Sequence, residues 1–127
     1  MGVSTLNRKI HIIALTIIVN FCYLHSLNGV FVFDDNEAIV NNKDVSLSCN
    51  LISLLSHDFW GSEIASTTSH KSFRPITTLS FCLNTIYSGE LDPRDFHVVN
   101  IALYLISVIL LYTVSIKCSS NIFLYTM

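Results

Sequence analysis

Two long apolar runs without a formal charge set the limits on what this chain can fold into. Residues 10–27 (Ile-His-Ile-Ile-Ala-Leu-Thr-Ile-Ile-Val-Asn-Phe-Cys-Tyr-Leu-His-Ser-Leu) and residues 96–116 contain no Asp, Glu, Lys or Arg. At a rise of 1.5 Å per residue, about 20 residues cross the ~30 Å hydrocarbon core of a bilayer, and both runs are of that order. Lipid offers backbone groups no hydrogen-bond partner, so a lone spanning segment must be helical. Only 13% of the 127 residues are charged, against about 25% in an ordinary soluble domain, and 51% are hydrophobic. The expected fold class is an all-α membrane protein with two transmembrane helices.

The charges between and around the runs give an orientation. Arg8 and Lys9 precede the first run and Lys117 follows the second, while all nine acids lie between Asp34 and Asp95. Against those acids the middle holds only Lys43, Lys71, Arg74 and Arg94, a formal charge of −5. Basic flanks stay on the cytosolic side. Residues 1–9 are therefore expected in the cytosol, residues 28–95 as a luminal loop, and residues 117–127 as a cytosolic tail with no evident structure. That tail can also be read as the start of a third membrane segment. An acidic surface of this kind excludes nucleic acid as a partner. The rival to an anchor is a signal peptide, with Arg8-Lys9 as its basic region. The run is long for that, and no small-x-small cleavage site follows it, so an uncleaved anchor is expected.

Within the loop, apolar spacing over residues 47–55 predicts a short amphipathic helix, with Asp44 or Ser46 as its cap. Pro75 suits the first turn of a helix over 75–87 that lies along the membrane interface or inserts into a bundle. The four cysteines have no metal-ligand spacing. A Cys49–Cys82 disulfide is open in an oxidising lumen, yet geometry decides it, and four small apolar side chains is the simpler expectation. Asn20, inside the first run, needs a hydrogen-bond partner and suggests packing against another helix.

The segment Phe31-Val-Phe-Asp34-Asp35-Asn-Glu37-Ala-Ile-Val40 crowds three carboxylates just after the first run. Such a pair is either a solvated loop or a general base held at the membrane boundary. Asp35-Asn36 also offers hard oxygen ligands to Mg²⁺ or Mn²⁺, though no calcium-loop spacing supports a metal. His57-Asp58-Phe59-Trp60-Gly61 reads as an aromatic interface anchor beside two titratable groups. Ser69-His70-Lys71-Ser72-Phe73-Arg74-Pro75 is basic. His70, Lys71 and Arg74 suit either a phosphate, through the Arg fork and the Lys point charge, or lipid headgroups. His97 and Asn100 share a helix face, which most simply serves packing.

These segments, taken in order and with the run Leu91-Asp-Pro-Arg-Asp-Phe-His-Val-Val-Asn100, resemble the amino-terminal region of the transmembrane and tetratricopeptide-repeat proteins, the TMTC family. The resemblance covers about residues 27–111. It implies an endoplasmic-reticulum protein O-mannosyltransferase with a multi-span fold of the GT-C type. Such an enzyme moves mannose from dolichyl-phosphate mannose to Ser or Thr of luminal proteins, cadherins among them. By the same resemblance Asp34 or Asp35 occupies the place of the catalytic base in the first luminal loop. Family members carry further spans and tetratricopeptide repeats, and no 34-residue repeat is visible here. The expectation is therefore an amino-terminal fragment, inactive by itself. The alternative is a small membrane scaffold or assembly factor that binds partner spans through Asn20, His25 and Asn100.

Overall fold

Proline at the start and glycine at the end mark out the helix best defined by sequence alone. Pro75 opens a helix that runs to Ser88, and Gly89 ends it at a φ of 78°, its N–H bonded to the Thr85 carbonyl at 2.9 Å. Glycine reaches that left-handed conformation without the Cβ penalty. The computed structural model describes the backbone of residues 5–125 and the side chains of residues 6–118. Its helices are α1 (Thr5–Tyr23), α2 (Leu51–Ser56), α3 (Pro75–Ser88) and α4 (Pro93–Tyr125). A 3₁₀ segment, Leu24–Asn28, extends α1, and a single wide turn of π geometry covers Asn36–Val40. No strand is present among the described residues, and the fold is all-α.

The chain divides into two compact units, residues 1–27 with 98–127 and residues 28–97. In the first, α1 runs antiparallel to the body of α4. His11 Nδ1 meets the Tyr112 hydroxyl at 2.7 Å, and the rings of Tyr23 and Tyr104 lie 4.9 Å apart. Leu6–Asn28 and Pro93–Cys118 are long and apolar enough to cross a membrane, and almost none of either segment is buried. A core helix of a water-soluble protein would be covered; these present Ile10, Ile17, Phe21, Leu110 and Leu111 outward. Apart from the His11–Tyr112 and Tyr23–Tyr104 contacts, several of their polar side chains turn back on their own helices. Asn20 donates to the Thr16 carbonyl at 2.8 Å, and Thr16, Ser107, Thr113 and Ser115 bond carbonyls one turn back. The Asn20 amide thus finds a partner on its own helix, as a polar group in an apolar span can.

Two readings of residues 117–127 are corrected as well. Helix α4 continues without a break through Lys117 to Tyr125, so within the described residues the tail neither lacks structure nor starts a separate segment. With 33 residues α4 is about 50 Å long, more than the hydrocarbon core needs. Residues 1–4, 126 and 127 of the expected cytosolic ends lie outside the described residues.

The second unit is built on aromatic rings. Ala38, Ile39, Val45 and Phe96 form its buried centre, with Phe31, Phe59, Trp60, Phe81 and Leu91 packed around them. Phe31 meets Phe96 at 5.3 Å, Phe96 meets Phe81 at 5.9 Å, and Phe81 meets Phe59 at 6.1 Å, all tilted or edge-on as ring quadrupoles prefer. A Cys49–Cys82 disulfide crosses 33 residues of sequence with a Cα separation of 5.8 Å, within bonding range. The four cysteines are therefore not alike: Cys22 and Cys118 are free and exposed. Helix α2 is shorter than the expected 47–55, and its cap is neither Asp44 nor Ser46. Asn50 caps it, its Oδ1 accepting from the Ile52 and Ser53 N–H groups at 3.0 and 3.5 Å. Asp44 is unavailable for that role because it is 5% exposed and engaged elsewhere.

Candidate functional site

Asp34 and Asp35 are neighbours in sequence and opposites in structure. The Asp35 N–H donates to the Val32 carbonyl at 3.0 Å, and the Asp35 Oδ2 accepts from the Val32 N–H at 3.2 Å. This reciprocal pair closes the turn that carries Phe33 at a φ of 46°. Half-buried Asp35 is thus a turn residue. Asp34 is exposed, and among the described residues its carboxylate has no hydrogen-bond or charged partner. Glu37 lies in the π turn and accepts from the Asn41 amide at 3.0 Å. Of the three clustered acids, only Asp34 offers both oxygens to an incoming group.

His57-Asp58-Phe59-Trp60-Gly61 organises the unit's loops rather than exposing chemistry. Asp58 is 2% exposed and accepts from the Trp60 N–H at 3.0 Å, the Ser62 N–H at 3.1 Å, the Ser69 hydroxyl at 2.5 Å and the His70 N–H. Burial pushes its carboxyl up, but the four donors outweigh that and hold it below the ordinary carboxylate value. The Phe59 N–H reaches the Ser72 carbonyl at 2.7 Å, joining the same two loops again. Gly61 has a φ of 80°, and a Cβ there would stand 2.5 Å from Asn42 Oδ1. That oxygen already accepts the Asp44 N–H, while the Asn42 amide donates to the Ala38 and Phe59 carbonyls.

His57 Nδ1 lies 2.9 and 2.8 Å from the two oxygens of Asp44 and 3.0 Å from the Ser53 hydroxyl, which itself donates to Asp44. A Ser-His-Asp relay needs the serine and the carboxylate on different ring nitrogens. Here both sit on Nδ1, so the imidazole cannot accept the serine proton while it holds the carboxylate. The cluster is a buried brace between residue 44 and α2.

The basic segment divides residue by residue. The Lys71 ammonium donates to the Ile64 carbonyl and to the Ser66 carbonyl at 2.6 Å, so it holds a loop. His70 stands edge-on to Trp60 at 6.3 Å. The Arg74 guanidinium lies 4.9 Å above the Phe59 ring, exposed and without an acidic partner among the described residues. A stacked guanidinium keeps its donor fork free for an anion. Asp34 and Arg74 belong to one unit, and no ion pair joins them. No group of three His, Cys, Asp or Glu side chains suited to a metal occurs among the described residues. Sequence reading missed the Asp58 and Asn42 hubs. Their partners lie up to 17 residues away, and the one local signal was a Gly following two bulky aromatics.

No family model and no solved structure matches the chain. Among curated proteins, it is 55% identical over 83 residues to human protein O-mannosyl-transferase TMTC4, covering 65% of this chain and 11% of that protein. It is 45% identical over 104 residues to mouse protein O-mannosyl-transferase TMTC1, covering 80% and 10%. With human protein O-mannosyl-transferase TMTC3 it shares 45% identity over 95 residues, covering 74% and 10%. The chain thus spans about a tenth of the length of the curated relatives it matches. Through 65–80% of its length, at 45–55% identity, the chain is similar to protein O-mannosyl-transferases of the TMTC family.

Proposed function

We propose that this chain contributes the first spans and first luminal loop of a protein O-mannosyltransferase in the endoplasmic-reticulum membrane. The observation that carries the reading is the 55% identity to a protein named for that activity. The activity itself is that of a longer polypeptide with a GT-C-type membrane fold. Its donor would be dolichyl-phosphate mannose and its acceptors Ser or Thr of secretory-pathway proteins, cadherins included. The basic flanks support a cytosolic amino terminus, and the Cys49–Cys82 disulfide supports a luminal side for residues 28–97, since disulfides persist in oxidising compartments.

In this reading Asp34 is the base. Its free carboxylate takes the proton of an acceptor hydroxyl as that oxygen bonds to the anomeric carbon of mannose. The bond from that carbon to the phosphate oxygen breaks, and the lipid phosphate leaves with the electron pair. Arg74 is the residue whose fork would meet the leaving phosphate, while Lys71 and His70 hold the loop from which it projects. The test is mannose transfer by the protein expressed from its own gene. Asp34→Asn should lower transfer by about 10²-fold or more with membrane insertion intact. Asp35→Asn should act through the turn and cost much less. Equal, full activity in both single variants and the double variant would remove the base role from this pair. Unchanged transfer in Arg74→Gln would remove the phosphate role.

A further inference from the structure

Helix α3 is inside out compared with a helix on the surface of a water-soluble domain. Its buried positions are Thr78, Cys82, Asn84 and Thr85. Its outward positions include Ile76, 82% exposed, Leu83, 55%, and Tyr87, 93%. A helix against water places its apolar stripe inward and its polar stripe outward. Helix α2 repeats the pattern: it buries only Leu54 and exposes Leu51, Ile52 and Leu55. Between the two lies an open apolar groove of about 220 Å³, lined by Leu51, Leu54, Leu55, Pro75, Ile76 and Leu79. The Cys49–Cys82 disulfide ties the start of α2 to the middle of α3, so the two outward faces form one surface.

We infer that this joint face of α2 and α3 beds in the acyl boundary of the bilayer, with lipid as its occupant. Three observations favour lipid over water or a soluble partner. Neither helix contains a single charged residue, although the unit carries all nine acids of the chain. Soluble interfaces of comparable apolarity are bounded by a polar, charged rim. Just ahead of α3 stand Lys71 and Arg74 with exposed Phe73, residue types that suit headgroups and the interfacial layer, while the exposed acid Glu90 lies past its far end. Finally, the unit is continuous at both ends with segments long enough to span, Leu6–Asn28 and Pro93–Cys118, so a bilayer surface is permanently within its reach. The inference rests on the membrane reading of those two segments and not on mannose transfer.

The experiment places the full chain in phosphatidylcholine vesicles that contain a phosphatidylcholine with a photoactivated diazirine in its acyl chain. Labelled peptides are then mapped by mass spectrometry. Residues 51–56 and 75–88 should be labelled alongside α1 and α4, whose labelling independently checks the spans. The Ile76→Asp/Leu83→Asp variant alters only exposed positions, so its disulfide should still form. Labelling of α2 and α3 should then fall roughly tenfold while that of α1 and α4 stays. Labels confined to α1 and α4 would overturn the inference, as would unchanged labelling in the variant. So would a face shielded from the lipid probe and equally from a water-soluble carbene, which would mean that protein covers it.

Discussion

Asp58 shows how a residue that looks catalytic in sequence becomes structural once its partners are counted. A buried carboxylate beside a histidine is a standard candidate for acid–base work, yet here four donors converge on it from Trp60, Ser62, Ser69 and His70. Its carboxyl titrates below the ordinary value, so around pH 4 the unfolded chain binds more protons than the folded one, and stability rises with pH there. The contribution is complete above the ordinary carboxylate range and is lost as pH falls through the lower, folded value. Asp58→Asn should flatten that acid limb. It should also cost about 2 kcal/mol or more at neutral pH, since an amide cannot accept from all four donors. The chain's one tryptophan, Trp60, donates to Asp58 and so reports the transition by its fluorescence. An acid titration of the variant that matches the wild type would contradict this account. None of it was legible in sequence, because Ser69 is 11 residues away from Asp58 and only the folded loops bring them together. For Asp34 and Asp35 the sequence located the pair but not the division between them, since only the Val32 contacts separate a turn residue from a free carboxylate.

At the scale of elements, what was legible follows from whether the signal is local. Pro75 and Gly89 bracket α3 because each acts on its own backbone, and the sequence placed that helix within a residue of its observed end. The cap of α2 was misplaced because Asp44, Ser46 and Asn50 are all good caps by type. Tertiary structure drew Asp44 away to His57 and Ser53, leaving Asn50. The Cys49–Cys82 disulfide could be named in sequence only as a possibility, because a count of cysteines says nothing of a Cα separation. Its stabilisation comes mainly from restricting the unfolded chain, and for a separation of 33 residues that is about 3–4 kcal/mol. For a unit with so few buried apolar residues this is a large share of the total. The double variant Cys49→Ala/Cys82→Ala should therefore lose its Trp60 signal at a lower urea concentration than the wild type, while the helicity of α1 and α4 persists. A thiol reductant should shift the wild type to the same midpoint and leave the variant unmoved. A reductant effect in the variant would mean that the loss arises elsewhere.

For the molecule as a whole, the two apolar runs were the most legible feature, because length and absence of charge are properties of sequence alone. Their surroundings carry the same information once folded, with many apolar side chains outward and several hydroxyl and amide groups bonded to their own helix carbonyls. Orientation depends on a handful of charges, Arg8, Lys9 and Lys117 outside the runs and the acids between them, and it fixes which compartment Asp34, Arg74 and the disulfide meet. The chain contains no Asn-x-Ser/Thr sequon, so it provides its own blank background for a topology test. Ala65→Asn creates one sequon, Asn followed by Ser66 and Thr67, at an exposed position in the Ser/Thr-rich loop. Ala65 makes none of the hydrogen bonds that hold that loop; Lys71 grips the Ile64 and Ser66 carbonyls instead. The substitution should therefore leave the fold intact and be N-glycosylated in cells, giving a heavier form that an endoglycosidase returns to the parent mass. An unmodified product with its Cys49–Cys82 bond formed would place the loop beyond the reach of the glycosylation machinery. Unmodified and reduced, it would put residues 28–97 in the cytosol, and with them every role proposed for Asp34 and Arg74 would fall.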